Sequence, residues 1–438
     1  MSIVTKKDII DQRNQVFEQE FQVELASSCT VGNGILRLDG VAKENARIAF
    51  EESNDKPSFF IPASGSGSRM FKFLYQWLED GIETEDVKLF FTELPNFPFF
   101  GELAASLSDR KAIVSEVLEK FSTMPKGLIP FHRYENEVRT AFQEHLAQAK
   151  DFLGEDAQIH FTVQKEFESD ISENIVEDKH VSFSYQNDET DAYCFDESGE
   201  LIKEGEEYLR RPAGHGALLE NLNAIDSDLV LLKNIDNIQH SSKSRTSKET
   251  WRLAIGTLLN FKKDVQKLAN DFSSEKLSKL NEAYQFLSKN QLVSFKEKDL
   301  QTILNRPTRI CGMVKNEGEP GGGPFWIADK QGVSNQIIEK AQIKNSKEQQ
   351  VIVQRSSHFN PVFIVVSKTD VQGNKLDLMQ FRDNSKFFVV KKTHKGKEIF
   401  YRELPGLWNG SMSNWNTIFL EIPSDVFTPV KSILNLLA

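Results

Sequence analysis

The chain has 438 residues, 39% hydrophobic and 27% charged, and a formal net charge of -11. That length accommodates two or three domains, or one large α/β core with additions. No apolar stretch approaches the ~20 residues a membrane-crossing helix needs, and no long basic run offers a sequence-independent grip on nucleic acid.

Residues 1–56 are polar and rich in Glu, and they read as an N-terminal helical extension that includes VFEQEFQVELA. The opening MSIVTKKDIIDQRNQ lacks the apolar core of a signal peptide. Three widely spaced cysteines, Cys29, Cys194 and Cys311, show no pairing pattern. Together these lead us to expect a cytoplasmic protein.

The first expected strand is 58–62, running into the small-residue loop ASGSGSRM. Helical segments follow over 72–122 (FKFLYQWLED, GELAASL, RKAIVSEVLEKF), interrupted by ELPNFPFFG. After MPKGLIPFH comes the helix NEVRTAFQEHLAQAKDFLG, then the strand QIHFTVQ, the helix FESDISENIVE and the strand VSFSYQ. That alternation predicts a layered α/β domain with parallel strands. The buried strand DLVLLKNID ends on Asp236.

Trp251, Ala254, Leu258, Phe261, Val265, Leu268 and Phe272 then form one helical stripe, and 241–304 reads as a helical insertion. From Arg309 onward strands dominate: TRICGMVK, HFNPVFIVVSK, KFFVVKK and NTIFLEIP. The expected organisation is 1–56, an α/β core over 57–240 with its insertion 72–122, the insertion 241–304, and 305–438.

Five short motifs carry chemistry. Gly65 and Gly67 permit close backbone approach, so the loop Gly65-Ser66-Gly67-Ser68 can turn N–H groups towards an anion, and Arg69 adds a planar fork for phosphate oxygens. The alternative is an ordinary strand-to-helix turn, since neither a third glycine nor a Gly-Lys-Ser/Thr completes a known nucleotide loop. Lys126 stands in a Pro-Lys-Gly-Leu turn, where a solvated surface lysine is the plainer reading. Gly214 and Gly216 flank His215 before a helix, a turn against which a base or phosphate can lie. Asp236, at the carboxyl end of its strand, lies where open α/β sheets bind ligands and where Mg²⁺ takes one or two carboxylates plus phosphates. A strand-end cap is the other reading. Lys431 follows in Phe-Thr-Pro-Val-Lys.

In this order the motifs resemble those of the UDP-sugar pyrophosphorylases, the eukaryotic-type UDP-N-acetylglucosamine enzymes among them. The chain also resembles an uncharacterised family, largely from Bacteroidetes, described as a domain of unknown function in the same nucleotide-diphospho-sugar transferase superfamily. RICGMVK, QIIEKAQI with Glu339, and SSHFNPV with His358 and Asn360 extend the likeness.

The resemblance implies a Rossmann-like three-layer α/β/α core with a mixed sheet, helical insertions and a strand-rich C-terminal part. It implies transfer of a nucleotidyl group from an NTP, UTP first, to a sugar 1-phosphate. Gly65, Ser66, Gly67 and Ser68 would hold the triphosphate, Arg69 the departing pyrophosphate and Lys126 the α-phosphate. Gly214, His215 and Gly216 would meet the base, Asp236 would bind Mg²⁺, and Lys431 would bridge phosphates. Glu339, His358 and Asn360 would face the sugar.

Two other functions fit the fold. One is a glycosyltransferase, although Asn234-Ile235-Asp236 is only half of an Asp-x-Asp metal motif. The other is a non-catalytic sugar-nucleotide binder, favoured if the cations lie more than ~10 Å from Asp236. The chain departs from the resemblance in three places. Lys126 lies 57 positions after Arg69, and GEPGGGPFWI (318–327) and PGLWNGSMSNWNT (405–417) have no counterpart. A mobile loop over the acceptor, or a surface turn, is expected for the first of these segments. Sugar stacking by Trp408 and Trp415, or core packing, is expected for the second.

Overall fold

The computed structural model describes residues 6–18, 22–104, 109–175, 178–318, 322–329 and 332–437. The expected helix GELAASL runs into 105–108, FESDISENIVE ends in 176–177, and GEPGGGPFWI contains 319–321; these lie outside the described residues. The fold is mixed α/β, as expected, and the chain divides into two compact units. One comprises Pro57–Tyr185, Leu231–Glu249 and Pro423–Ala438; the other comprises Met1–Lys56, Gln186–Val230 and Thr250–Ile422. Among the described residues no helix is long and apolar enough to cross a membrane.

In the first unit, strand Ser58–Pro62 pairs in parallel with Gln158–Thr162, which pairs in parallel with Val181–Ser184. On the other side Ile235 N–H donates to the Pro62 carbonyl at 3.4 Å, where strand Leu229–Lys233 runs out. The four residues Ser58–Ile61 are all buried, the continuous apolar signature of a strand covered on both faces. The insertion 72–122 is helical as expected: Lys72–Asp80, Glu85–Thr92 and Arg110–Phe121 pack around the fully buried Phe90, Phe97, Phe99 and Phe121.

The helix expected from Asn136 starts later, at Ala141, because Thr140 caps it with Gln143 in a reciprocal box and Val138–Thr140 pairs with Pro130–Arg133.

The second unit holds strand Thr308–Lys315 between an antiparallel neighbour, Phe363–Ser367, and a parallel one, Asn416–Glu421. Asn416–Glu421 in turn pairs in parallel with Gly34–Leu36. The stripe from Trp251 to Leu268 is buried along the long helix Arg245–Asn270. There Gly256 lets the helix touch the Ala46 carbonyl of helix Gly40–Glu51, and the Trp251 ring stacks on Phe363 at 3.5 Å.

Three expectations need correcting. Residues 1–56 are not a helical extension: between helices Lys6–Phe17 and Gly40–Glu51 lie strands Leu25–Ser28, Thr30–Val31 and Gly34–Leu36. The first pairs with Gly323–Asp329, and together with Ile338 and Ile343 it closes a core of Val23, Leu25, Phe325 and Ile327. Residues 186–230 group with the C-terminal strands rather than with 57–185, since Phe195 bridges Phe400 and Leu404 N–H reaches the Ala213 carbonyl. HFNPVFIVVSK is two strands, His358–Phe359 and Phe363–Ser367, divided where Val362 takes φ +58°. All three cysteines are buried and free.

Candidate functional site

In the first unit the glycine loop and the Pro-Lys-Gly turn meet despite the 57 positions between Arg69 and Lys126. Lys126 N–H donates to the Gly65 carbonyl at 3.1 Å, Ser66 bridges Pro125, and Gly67 N–H donates to the Met124 carbonyl at 3.3 Å. The helical insertion therefore leaves and returns at one place, and Tyr75 Oη lies 2.6 Å from Ser122 Oγ near its end.

Two details correct the expectation for the loop. The Gly67 N–H is already engaged with Met124, so it is not available to a phosphate. Gly67 is required for packing, because a Cβ there would lie 2.8 Å from Ile129 Cδ1, whereas a Cβ on Gly65 would meet nothing. Ser66 Oγ and Ser68 Oγ are 3.2 Å apart on the exposed side. Arg69 is the second residue of the helical turn Ser68–Phe71, exposed, and its side chain makes no hydrogen bond or ion pair among the described residues.

Lys126 Nζ donates to Asp236 Oδ2 at 2.7 Å, with 13% and 25% of the two side chains exposed. The Lys126 ammonium and the Asp236 carboxylate are thus in direct contact. Gly127 seats the turn, since a Cβ there would collide with Phe142 Cε2 at 2.5 Å and Ile235 Cγ1 at 2.9 Å. The Asp236 carbonyl accepts from Val430 N–H at 2.9 Å, and Asn237 Oδ1 accepts from Thr428 N–H at 3.0 Å. These bonds fasten Phe-Thr-Pro-Val-Lys to the strand end and set Lys431 one residue beyond a bonded position; its ammonium lies 5.5 Å from the Phe427 ring centre.

No group of three or more His, Cys, Asp or Glu side chains among the described residues is arranged to hold a metal. Asp236 offers one carboxylate, of which Oδ1 has no partner among the described residues. A single carboxylate completed by substrate phosphates suits Mg²⁺.

In the second unit Gly214, His215 and Gly216 interlock with the segment 404–408. Gly214 has φ +75°, and a Cβ there would sit 2.5 Å from Glu403 Oε2; a Cβ on Gly216 would strike the Pro405 carbonyl. A Cβ on Gly406 would lie 2.7 Å from His215 Cε1. Leu407 N–H donates to His215 Nδ1 at 3.0 Å, which fixes the neutral tautomer with its proton on Nε2. The Trp408 ring stacks on the imidazole at 4.1 Å, and Nε2 stands 4.0 Å from Glu339 Oε1.

Although 29% of the His215 side chain stays exposed, its burial pushes the imidazole down to about 4. Burial first and the charge of Glu403 second raise the Glu339 carboxyl; burial likewise raises Glu403.

His358 and Asn360 do not join this group. Among the described residues neither makes a hydrogen bond or ion pair with His215 or Glu339. His358 Nε2 lies 3.5 Å from Glu421, which Arg37 holds at 2.7 Å. The Asn360 amide donates to the Gly312 carbonyl at 2.8 Å and accepts from Val362 N–H at 3.1 Å, supporting the left-handed turn.

The segment 405–417 has its explanation here: Trp408 covers His215, while Trp415 is buried core. Within 318–327, residues 323–327 belong to strand Gly323–Asp329, which pairs with Leu25–Ser28 on one side and Gly332–Ile338 on the other; the expectation of a mobile loop or surface turn falls on 319–321, outside the described residues. Glu403 had no signal in the sequence, since nothing local distinguishes it from other strand glutamates.

Solved structures similar to the chain include a mutant UDP-glucose pyrophosphorylase of Leishmania major in complex with UDP-glucose (12% identity, 98% of this chain and 74% of that one, TM-score 0.45). Others are a putative UDP-N-acetylglucosamine pyrophosphorylase of Entamoeba histolytica (13%, 89% and 80%, TM-score 0.45) and the Trypanosoma brucei UDP-N-acetylglucosamine pyrophosphorylase with an inhibitor (12%, 93% and 69%, TM-score 0.48). No curated protein matches the sequence. A family model described as "Domain of unknown function (DUF4301)" matches residues 2–438, and the chain belongs to that family.

Proposed function

We propose that the protein is a nucleotidyltransferase that joins a sugar 1-phosphate to an NTP, UTP first, giving an NDP-sugar and pyrophosphate. The observation that supports this most is the joining of the glycine loop, Lys126, Asp236 and the Lys431 segment through backbone and ion-pair contacts in one unit. An oxygen of the sugar phosphate attacks the α-phosphorus in line and forms the new P–O bond. The bond from that phosphorus to the bridging oxygen breaks, and its electron pair leaves with pyrophosphate.

Lys126 has the reach and charge to neutralise the α-phosphate, with Asp236 as its partner before substrate arrives. The Gly65, Ser66 and Ser68 backbone and Arg69 would take the β- and γ-phosphates, and Lys431 would approach from the C-terminal segment. Mg²⁺, held by Asp236 and phosphate oxygens, would supply further neutralisation of the triphosphate. The protein aligns and neutralises charge; it supplies no covalent nucleophile. In the other unit, the His215 turn would meet the base and Glu339 a sugar hydroxyl.

The test is pyrophosphate release by the purified chain with Mg²⁺, each of the four common NTPs and a panel of sugar 1-phosphates. Release that needs one NTP and one sugar phosphate, and is lost in Asp236→Ala, is expected. Silence across the panel would overturn the proposal in favour of a non-catalytic binder.

A further inference from the structure

The helix Ala141–Leu153 carries a buried carboxylate and a buried imidazole at adjacent positions, and neither belongs to the motifs above. Glu144 has no exposed side-chain surface. It accepts hydrogen bonds from Tyr134 Oη at 2.7 Å, from Gln148 Nε2 at 2.7 Å and from Ser241 Oγ. His132 Nδ1 lies 3.3 Å away and Arg139 Nη1 3.9 Å away. Burial alone would raise this carboxyl, but the donors from His132, Ser241, Tyr134 and Gln148 hold it down at about 2. Glu144 is therefore ionised at neutral pH.

Apart from Gln148, one turn further along the same helix, these donors come from two chain segments. Tyr134 and His132 belong to the hairpin that begins just after the Lys126 turn. Ser241 belongs to the loop that begins at Asp236, and its N–H also donates to Tyr134 Oη at 3.0 Å. Gln148 Nε2 donates to the Gln239 carbonyl of the same loop at 2.6 Å.

His145 acts one step closer. Its Nε2 lies 3.0 Å from the Ile235 carbonyl, and since a carbonyl only accepts, Nε2 carries the proton. Ile235 immediately precedes Asp236, and its side chain packs with Phe142 against the space a Cβ on Gly127 would fill. One helix face thus grips the residue before Asp236, the residue after Lys126 and the segments that follow both.

We infer that Glu144 and His145 are positioning residues for the Lys126–Asp236 pair. Removing either should let the lysine and the carboxylate drift apart without removing any group that touches substrate. This rests on the reading of Lys126 and Asp236 as residues of the reacting centre, but the test does not need turnover.

The first readout is the rate at which acetic anhydride labels the Lys126 amine in the intact protein, followed by mass spectrometry. An ammonium held by a carboxylate is protected, so the rate reports the pair directly. Glu144→Gln, which keeps the shape and removes the charge, and His145→Leu should each raise labelling of Lys126 several-fold. His145→Gln, whose amide can donate to the Ile235 carbonyl, should restore the wild-type rate. Val265→Ala, a core change on the long helix of the other unit, should lower Tm and leave Lys126 labelling unchanged. Equal labelling in wild type, Glu144→Gln and His145→Leu would overturn the inference.

The second readout is the split between kcat and KM in pyrophosphate release. A misplacement of about 1 Å costs roughly 10²-fold in kcat with little change in KM. Wild-type protein that releases no pyrophosphate would count against the nucleotidyltransferase reading, while the labelling would still decide the positioning.

Discussion

The two units treat charge in opposite ways. At Lys126 and Asp236 a cation and an anion meet at 2.7 Å, and the carboxylate backbone is tied down by Val430. Around His215 no such pair forms: the imidazole is neutral, Glu339 and Glu403 have no Lys or Arg within ion-pair distance among the described residues, and Lys392 only partly offsets the burial of Glu403. A compensated pair can exchange its partner for a phosphate or a metal at little electrostatic cost. A neutral N–H donor facing a carboxylate across 4.0 Å is instead spaced for a hydroxyl that accepts from one and donates to the other. The difference is that between a paired cation and anion and a neutral donor facing carboxylates.

The strongest way to break this comparison is at the pair itself. Lys126→Ala should lower kcat by about 10²- to 10³-fold, the cost of removing one preorganised donor from a developing charge. His215→Asn should act mainly on KM. Steady-state kinetics with both substrates varied would check this. Equal kcat losses in the two variants would mean that the two groups do not divide the work as described.

The next largest effect concerns the turn that holds His215. Gly216→Ala places a methyl against the Pro405 carbonyl, backbone that cannot rotate away. A loss of about 3 kcal/mol is expected in urea unfolding, the upper range for local strain and overpacking. Gly65→Ala, with nothing in the way, should be nearly silent by the same measurement. A large Gly65→Ala loss would mean that this loop, too, is held by close packing.

That contrast shows what was legible in the sequence. Both glycine motifs were visible, but their reasons were not, since Pro405, Glu403 and Ile129 come from distant segments. The strands Ser58–Pro62, Gln158–Thr162 and Leu229–Lys233 were legible because apolar runs of that length have few other uses. The short strands Leu25–Ser28 and Gly34–Leu36 were not, because only pairing with strands some 300 or more positions away makes them strands. The proximity of Lys126 to the loop depended on a helical insertion that returns to its start, which no local pattern encodes. Likewise, nothing in QEHLAQ announces that Glu144 and His145 grip a loop about 90 residues later.

Acid should separate the units more gently. Burial first, and Lys233 second, holds the His145 imidazole at about 3, and burial holds His215 at about 4. Both fall below the unfolded value of about 6.5. For a depressed histidine the unfolded chain binds the proton first, so its contribution to stability is full above pH ~6.5 and is lost as pH falls to its folded value, about 4 for His215 and about 3 for His145. Between pH 7 and 5 a fully buried histidine such as His145 should account for about 2 kcal/mol of that loss. His145→Gln should remove that share of the slope, and His215→Asn, at a partly exposed ring, a smaller share. Urea midpoints at the two pH values measure both. A slope unchanged in His145→Gln would mean that the ring is protonated in the folded protein.

The smallest expected effect has the opposite sign and tests the carboxylates beside His215. Glu339 is raised by burial and by Glu403, so at neutral pH its ionised form is the one the fold disfavours. A raised carboxyl contributes stability below its unfolded value, and that contribution is lost as pH rises through its folded value. Glu339→Gln removes the charge and keeps the shape. It should raise Tm by about 1–2 °C at pH 7, on the scale where 1 kcal/mol moves Tm by a few degrees, and should change nothing at pH 4. Asp236→Asn should move Tm the other way at pH 7, because it leaves the Lys126 ammonium facing an amide. If both variants were stabilised, the pair at Lys126 would be as strained as the carboxylates at His215, and the contrast between a charged and a neutral site would fail.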